Sequence, residues 1–323
     1  MGRVRVLHDG DLHARDAGGG EVRGAESVGC GNMILDFEFW SWAGVVGSTL
    51  KGGDFCLRGG CGAVFSTFPI DIGVIVLAMP FNLSAHPDLD VHAVAERFET
   101  ESLEGVLAWT WERFGERAAI GTSFQGSGLV IIDHAVRMGL KFPVFTIDTG
   151  LLFPETYELK ARLEDFFGLE IEGLQPAQTV EEQNAEYGRE LWKTNPDTCC
   201  AMRKVMPLQK KLASLDVWIT GVRRNQSDTR KSTKLLELYE FDALRAHHIL
   251  KLNPMANWSR EAIWQHIHER RIPYNALHDR GFRSIGCWPC TKLTTASDNE
   301  RAGRWEGFDK TECGIHTFLG SNI

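Results

Sequence analysis

Five of the eight cysteines sit where a thiol could do chemistry. Cys313 lies ten residues from the C-terminus, in the stretch "ECGIH", among Gly, Thr, Ser and Asn and with no apolar spacing that would mark a core position. A buried cysteine behaves as a small hydrophobe. An exposed one on a terminal tail needs another reason. Glu312 stands beside it, His316 follows three residues on, and nearby arginines would favour thiolate near neutral pH. Such a thiol is a candidate nucleophile, able to reach a substrate and then swing out to a second protein. Cys199 and Cys200 are adjacent in "DTCCAMRK", and Cys287 and Cys290 form a Cys-x-x-Cys in "IGCWPC". Two close pairs far apart in sequence can converge on one metal centre. Neighbouring residues on a helix point about 100° apart. That suits separate corners of an iron–sulfur cluster better than one tetrahedral zinc, so the spacing favours iron–sulfur. "CLRGGC", with Cys56 and Cys61, is too loosely spaced to read as half a zinc site, and Cys30 stands alone.

An anion site is suggested next. "GTSFQGSGL", Gly121 to Leu129, runs from a strand end into a helix start, where small residues let the backbone close around a phosphate. It is neither the dinucleotide fingerprint nor a Walker loop, and a tight turn without ligand would use the same residues. "IDTGLLFPET" sits at a second strand end and should face the same crevice. Basic residues gather in "TGVRRNQSDTRKSTK", with Arg223, Arg224, Arg230, Lys231 and Lys234, and in "ERAGRW", where Arg301 and Arg304 would share a face if helical. The arginines, with their forked donors, suit oxyanions; the lysines read as solvated surface.

These loops need a frame. The pattern predicts an amphipathic helix over roughly Val91 to Phe114, a strand "AAIGTS", a helix "LVIIDHAVRMG" ending at Gly139, a strand "PVFTID", a helix from Pro154 to Phe167, and a strand "LEIEGL". "DVWITGV" and "HHILKLNPM" read as further strands, and "SREAIWQHIHERR" as a helix with Ile263 and Ile267 on one face. Strand–helix alternation predicts an α/β fold with a parallel twisted sheet flanked by helices, and ligands beyond the carboxyl ends of the strands.

At 323 residues and 43% apolar, the chain can bury a full core, and its net charge of −8 argues against a nucleic-acid or membrane-surface binder. The longest apolar stretch, "IDIGVIVLAMPF", is interrupted by Asp71 and Gly73 and too short to span a bilayer. No secretory signal is read at the N-terminus, so a cytoplasmic protein with reduced thiols is expected. Residues 1–78 hold 16 of the 33 glycines and one lysine, without helical or alternating period. They read as a poorly ordered extension or as sequence upstream of a natural start at Met79; residues 79–323 form the working domain, with a mobile tail from about 306.

Together, "CCAMRK", "IGCWPC", "GRW", "ECGIH", "DTGLLFPET" and "TGVRRNQS" resemble the iron–sulfur sulfonucleotide reductases, the assimilatory adenosine 5′-phosphosulfate reductases that use thioredoxin. The resemblance covers about Glu101 to His316 and implies an adenine nucleotide alpha hydrolase-like fold. It implies that Cys199, Cys200, Cys287 and Cys290 hold one 4Fe-4S cluster, and that Cys313 attacks the sulfur of the phosphosulfate to give AMP and an S-sulfocysteine. Thioredoxin, or a glutaredoxin-like donor, would then release sulfite for cysteine biosynthesis. By the same resemblance Lys204 lies between cluster and substrate, Arg301 and Arg304 grip oxyanions, His316 assists the nucleophile, and the loops with Ser123, Gly126, Ser127, Asp148, Thr149 and Gly150 hold the nucleotide, with Arg223 and Arg224 nearby. The chain departs from the family at Gln125, Ser127 and Gly128 and at Leu151 and Phe153. The cluster cysteines favour the substrate without a 3′-phosphate; the 3′-phosphorylated form is the alternative, and a tRNA-thiolating ATP-pyrophosphatase a more distant one. A homo-oligomer is left open.

Overall fold

The computed structural model describes residues 81–293, 300–301, 303–308, 310 and 312–316. The extension expected at 1–78, with Cys30, Cys56 and Cys61, lies outside the described residues. So does the last part of the tail.

Six strands make one sheet: β1 (Ala118–Gly121), β2 (Val144–Ile147), β3 (Ile171–Leu174), β4 (Val217–Thr220), β5 (Leu236–Asp242) and β6 (His247–Leu252). Their order is β3-β2-β1-β4-β6-β5, parallel except for β5, which runs antiparallel to β6 at one edge. Ile120 of β1 pairs with Val144 on one side and Ile219 on the other. The helices are α1 (Val91–Phe98), α2 (Leu103–Phe114), α3 (Gly126–Arg137), α4 (Pro154–Phe167), α5 (Val180–Tyr187), α6 (Leu191–Thr194), α7 (Pro196–Cys200), α8 (Met206–Leu212) and α9 (Arg260–Arg270).

Both faces of the sheet are covered, and alternate strand residues divide between them. Ile120, Ile219 and Leu250 pack with Leu107 of α2, Leu129 and Ile132 of α3, and Ile263 and Ile267 of α9. Ala119, Trp218 and Ile249 point the other way, onto Leu208 and Leu212 of α8. All four residues of β4 are buried, as a central parallel strand requires. β2 and β3 lie on one side of β1, and β4 and β6 on the other. The strand order therefore reverses between β1 and β4, and a crevice opens there beyond their carboxyl ends. Among the described residues no helix is long and apolar enough to cross a membrane.

Most expected elements form, and Pro154–Phe167 is a helix with the bounds read from sequence. Three differ. The single helix expected over Val91–Phe114 is two. Asp90 caps α1 by accepting from the His92 and Ala93 backbone N–H groups at 3.0 Å, and Ser102 caps α2 by accepting from Gly105 at 3.0 Å. The edge strand β5 was not expected; it is specified by its antiparallel pairing with β6, which carries a register shift between Glu240 and Asp242. Arg301 and Arg304 do not share a helix face; they bracket a turn, with Arg304 N–H donating to Arg301 O at 3.0 Å.

Candidate active site

Loops after β1, β2 and β4 meet at a cavity of about 210 Å³. After β1 the chain turns through Phe124, at φ +58°, and enters α3 at Gly126, so Ser123, Gly126, Ser127 and Gly128 form the wall beside the positive end of that helix. Glycine is required at 221, after β4: a Cβ there would stand 2.9 Å from Ser127 Cβ and 3.0 Å from the Gly128 nitrogen. That close approach brings Arg223 in. Its buried guanidinium donates from Nε to Ser127 Oγ at 3.1 Å and from Nη2 to both oxygens of Glu300, at 2.8 and 2.7 Å. From β2, Thr149 reaches the cavity and its Oγ1 lies 3.3 Å from Cys287 Sγ. Asp148 and Gly150 do not line it. Asp148 Oδ1 instead accepts from Gly150 N–H at 2.9 Å and Tyr157 O–H at 2.7 Å, and Gly150 supplies the left-handed φ of +68° that the loop needs.

The opposite wall is basic. Lys204, Arg301 and Arg304 border the cavity together with Cys313, Ile315 and His316. Trp305 organises them from behind: the Lys204 ammonium lies 6.0 Å from its ring centroid, the Arg301 guanidinium 5.5 Å, that of Arg304 4.7 Å, and the Lys310 ammonium 5.6 Å. Trp305 is itself buried at φ +53°, a conformation that costs a non-glycine residue roughly 1 kcal/mol and that packing must hold in place. Gly286 leaves room for the Arg304 guanidinium, which a Cβ at that position would strike.

Cys313 is not the exposed thiol expected from its place near the terminus. It is buried against Cys200 and Trp305. Burial pushes its pKa up, but Lys204, Arg301, the Ile315 backbone and Arg304 together outweigh burial, and the net direction is down. Lys204 shows the converse: burial disfavours its charge, yet Cys287, Cys313 and Cys200 hold it protonated, above the ordinary lysine value. Glu312 is largely buried, its side chain 11% exposed. Its carboxylate accepts from Arg230 Nε and Nη2, both at 2.9 Å, from Thr229 Oγ1 at 3.2 Å, and pairs with Arg301 Nη2 at 3.1 Å. His316 stacks on Trp218 with ring centroids 5.1 Å apart and planes at 7°. Burial, then Arg230, Lys251 and Arg301, hold it well below the usual histidine value, so the ring is neutral. Its Nδ1 finds no hydrogen-bond partner among the described residues.

Behind this wall lies a second, smaller cavity lined by Cys199, Cys200, Cys287 and Cys290 with Leu151, Trp192, Pro196, Arg203 and Lys204. Cys199 and Cys200 end α7, which starts at Pro196 and is capped by Asn195 accepting from Thr198 N–H at 3.0 Å. A π turn, Ala201–Val205, follows and carries Arg203 and Lys204 inward. Cys287 and Cys290 flank one tight turn tied to the β2 loop, with Trp288 N–H donating to Leu151 O at 2.9 Å. All four thiols are free. Burial, then the neighbouring thiols, pushes Cys199 up to about 12, and burial followed by Cys287 pushes Cys290 up to about 11. Among the described residues no group of three or more His, Cys, Asp or Glu stands so as to hold a single metal ion. Four soft donors set around an apolar cavity fit a multi-iron cluster better than a mononuclear site.

Arg224 is a third expected substrate residue, after Asp148 and Gly150, that does not line the cavity. Arg224 points away from the cavity, with Nη2 2.6 Å from Glu99 Oε1 and Nε donating to Thr233 O at 2.8 Å. It ties the loop after β4 to the end of α1. The site also holds residues that spacing did not single out: Trp305, Glu300 and Trp218. Glu312 and Arg230 were visible as neighbours of chemistry, but a carboxylate in an anion site carries no sequence signal until its partners are known.

The phosphoadenosine phosphosulfate reductase domain matches residues 117–293. An adenosine 5′-phosphosulfate reductase of Geobacillus kaustophilus is 41% identical over 219 residues, covering 68% of this chain and 91% of the relative. Adenosine 5′-phosphosulfate reductase 2 of Bacillus subtilis is 39% identical, covering 65% and 88%. A phosphoadenosine 5′-phosphosulfate reductase of Gloeobacter violaceus is 40% identical, covering 69% and 92%. In three dimensions the phosphoadenylyl-sulfate reductase of Candida auris, solved with phosphate, aligns with a TM-score of 0.54 at 28% identity over 62% of this chain and 94% of that one. On this match of domain, relatives and sheet, the chain belongs to the phosphoadenosine phosphosulfate reductase family.

Proposed function

We propose that this protein reduces adenosine 5′-phosphosulfate to sulfite and AMP, as an oxidoreductase of sulfate assimilation. The observation that carries the reading is the Cys313 thiol, set among Lys204, Arg301 and Arg304 on the wall of the crevice where the β1, β2 and β4 loops meet. The adenosine and its phosphate lie along Ser123–Gly128 and Thr149, at the start of α3. The sulfonate points at Cys313. The thiolate attacks sulfur, an S–S bond forms, and the S–O bond to phosphate breaks, so that AMP carries away the electron pair and Cys313 holds the sulfonate. Arg301, Arg304 and Lys204 stabilise the charge that develops on the oxygens. A dithiol donor of the thioredoxin class then attacks Cys313 Sγ and sulfite leaves. The mixed disulfide is resolved by the donor's second thiol, and the donor's two electrons take sulfur from +6 to +4.

The other four thiols among the described residues, Cys199, Cys200, Cys287 and Cys290, would hold a 4Fe-4S cluster, and Arg203 and Lys204 line its chamber. A bound cluster would cross-link the α7 end to the 287–290 turn, two segments far apart in the chain, and add a fixed charge beside Lys204. Relatives named for each sulfonucleotide match at similar identity. Substrate choice is read in one assay: sulfite release from each sulfonucleotide with a thioredoxin. Faster turnover of adenosine 5′-phosphosulfate is expected. Incubation with substrate and no donor should leave the added SO3 mass on Cys313; its recovery on another residue would overturn the mechanism.

A further inference from the structure

The carboxylate beside the nucleophile has no place in the chemistry just described. A negative charge next to a thiolate disfavours it, and beside a crevice that takes an anion it works against the substrate. Glu312 nonetheless sits beside it, largely buried, and among the described residues its partners lie outside the segment that carries it: Arg230 and Thr229 in the loop after β4, and Arg301 in the Trp305 turn. At the other end of the segment His316 stacks on Trp218 of β4. Between them Gly314, at φ +84°, turns the backbone past Val205, whose Cγ2 would lie 3.5 Å from a Cβ there.

We propose that Glu312 is a positioning residue: its ion pairs with Arg230 and Arg301 latch the segment bearing Cys313 into the cavity. The inference rests on the function proposed above. Withdrawing the segment would expose Cys313 to a donor protein, and it would also strip two largely buried arginines of a shared carboxylate. Closure is therefore linked to the pair. Arg301 belongs both to the latch and to the oxyanion wall, so an arriving sulfonate shares it with Glu312 while Arg230 keeps its bidentate hold.

The test uses the full-length protein purified without oxygen, with alkylation of Cys313 by iodoacetamide followed on its own peptide. Loss of one charge-assisted pair should shift the opening equilibrium by roughly tenfold or more. Glu312→Gln and Arg230→Gln should therefore raise the alkylation rate by that factor, and Glu312→Asp should restore part of the protection. In steady state Glu312→Gln should lower kcat without raising KM. An alkylation rate in Glu312→Gln equal to wild type would overturn the latch, and so would a raised KM with unchanged kcat, which would make Glu312 a substrate contact. If the wild-type protein captures no sulfonate, the functional reading fails, while the alkylation result still decides the latch.

Discussion

Cys199 and Cys313 are the same residue type, both buried, in adjoining chambers, and their thiols are driven in opposite directions. Cys199 is pushed up to about 12 by burial and by other thiols. Cys313 goes down, because the cations around it outweigh a burial that acts the same way on both. Depth alone does not make a thiol reactive or inert. The sign of the neighbouring charge does: Lys204 lines both cavities and lowers both thiols, but Cys313 also has Arg301 and Arg304 beside it, whereas Cys199 has other thiols.

The largest effect that could break this contrast is at the nucleophile. Cys313→Ser should lower turnover by about 10³-fold or more, with loss of the SO3 adduct, as removal of a covalent catalyst does. Turnover close to wild type would sink it. On the other side of Lys204, Cys287→Ser should release iron and, if the cluster cross-links distant segments, destabilise the fold by about 2–5 kcal/mol, the scale known for structural cross-links. Iron analysis and thermal unfolding read both. Lys204→Gln should lower kcat/KM by roughly 10²-fold, the usual result of removing one donor aimed at developing charge; it should also slow Cys313 alkylation at neutral pH.

Two smaller effects sharpen the comparison. Burial raises the Glu312 carboxyl, but Arg230, Arg301 and Thr229 hold it below the ordinary carboxylate value. A carboxyl lowered on folding contributes stability above its unfolded pKa and loses it as pH falls through the folded one. The stability advantage of wild type over Glu312→Gln should thus be full above about pH 5 and shrink as the solution is acidified further. A difference independent of pH would show that charge is not what Glu312 provides. Last, Arg224→Ala should leave kcat/KM within about twofold and cost about 0.2–1 kcal/mol, as for other partly exposed ion pairs.

That last pair of neighbours shows where sequence reading stops. Arg223 and Arg224 looked equivalent as ligands. Arg223 is in extended backbone and turns inward to Ser127 and Glu300, while Arg224 begins a tight turn and faces Glu99. Residue type and position could not separate them, since successive side chains leave an extended chain on opposite sides. The same holds for Asp148 and Thr149, one shaping its loop and the other lining the cavity. The strands of the central sheet were readable because each is a short apolar run bounded by turn residues. The edge strand β5 was not, because only pairing with β6 specifies it.

The types and spacing of the cysteines, the glycines at the strand ends and the capping residues were determined by the sequence itself, because each acts through bonds or contacts a few residues long. The reversal of strand order between β1 and β4 was decided by tertiary structure. So was the gathering of Lys204, Arg301 and Arg304 around one thiol, and the pairing of Glu312 with Arg230 and Arg301 beside the cavity. These bring together segments far apart in the chain, and charge–charge energies follow distance in space, which no local pattern encodes.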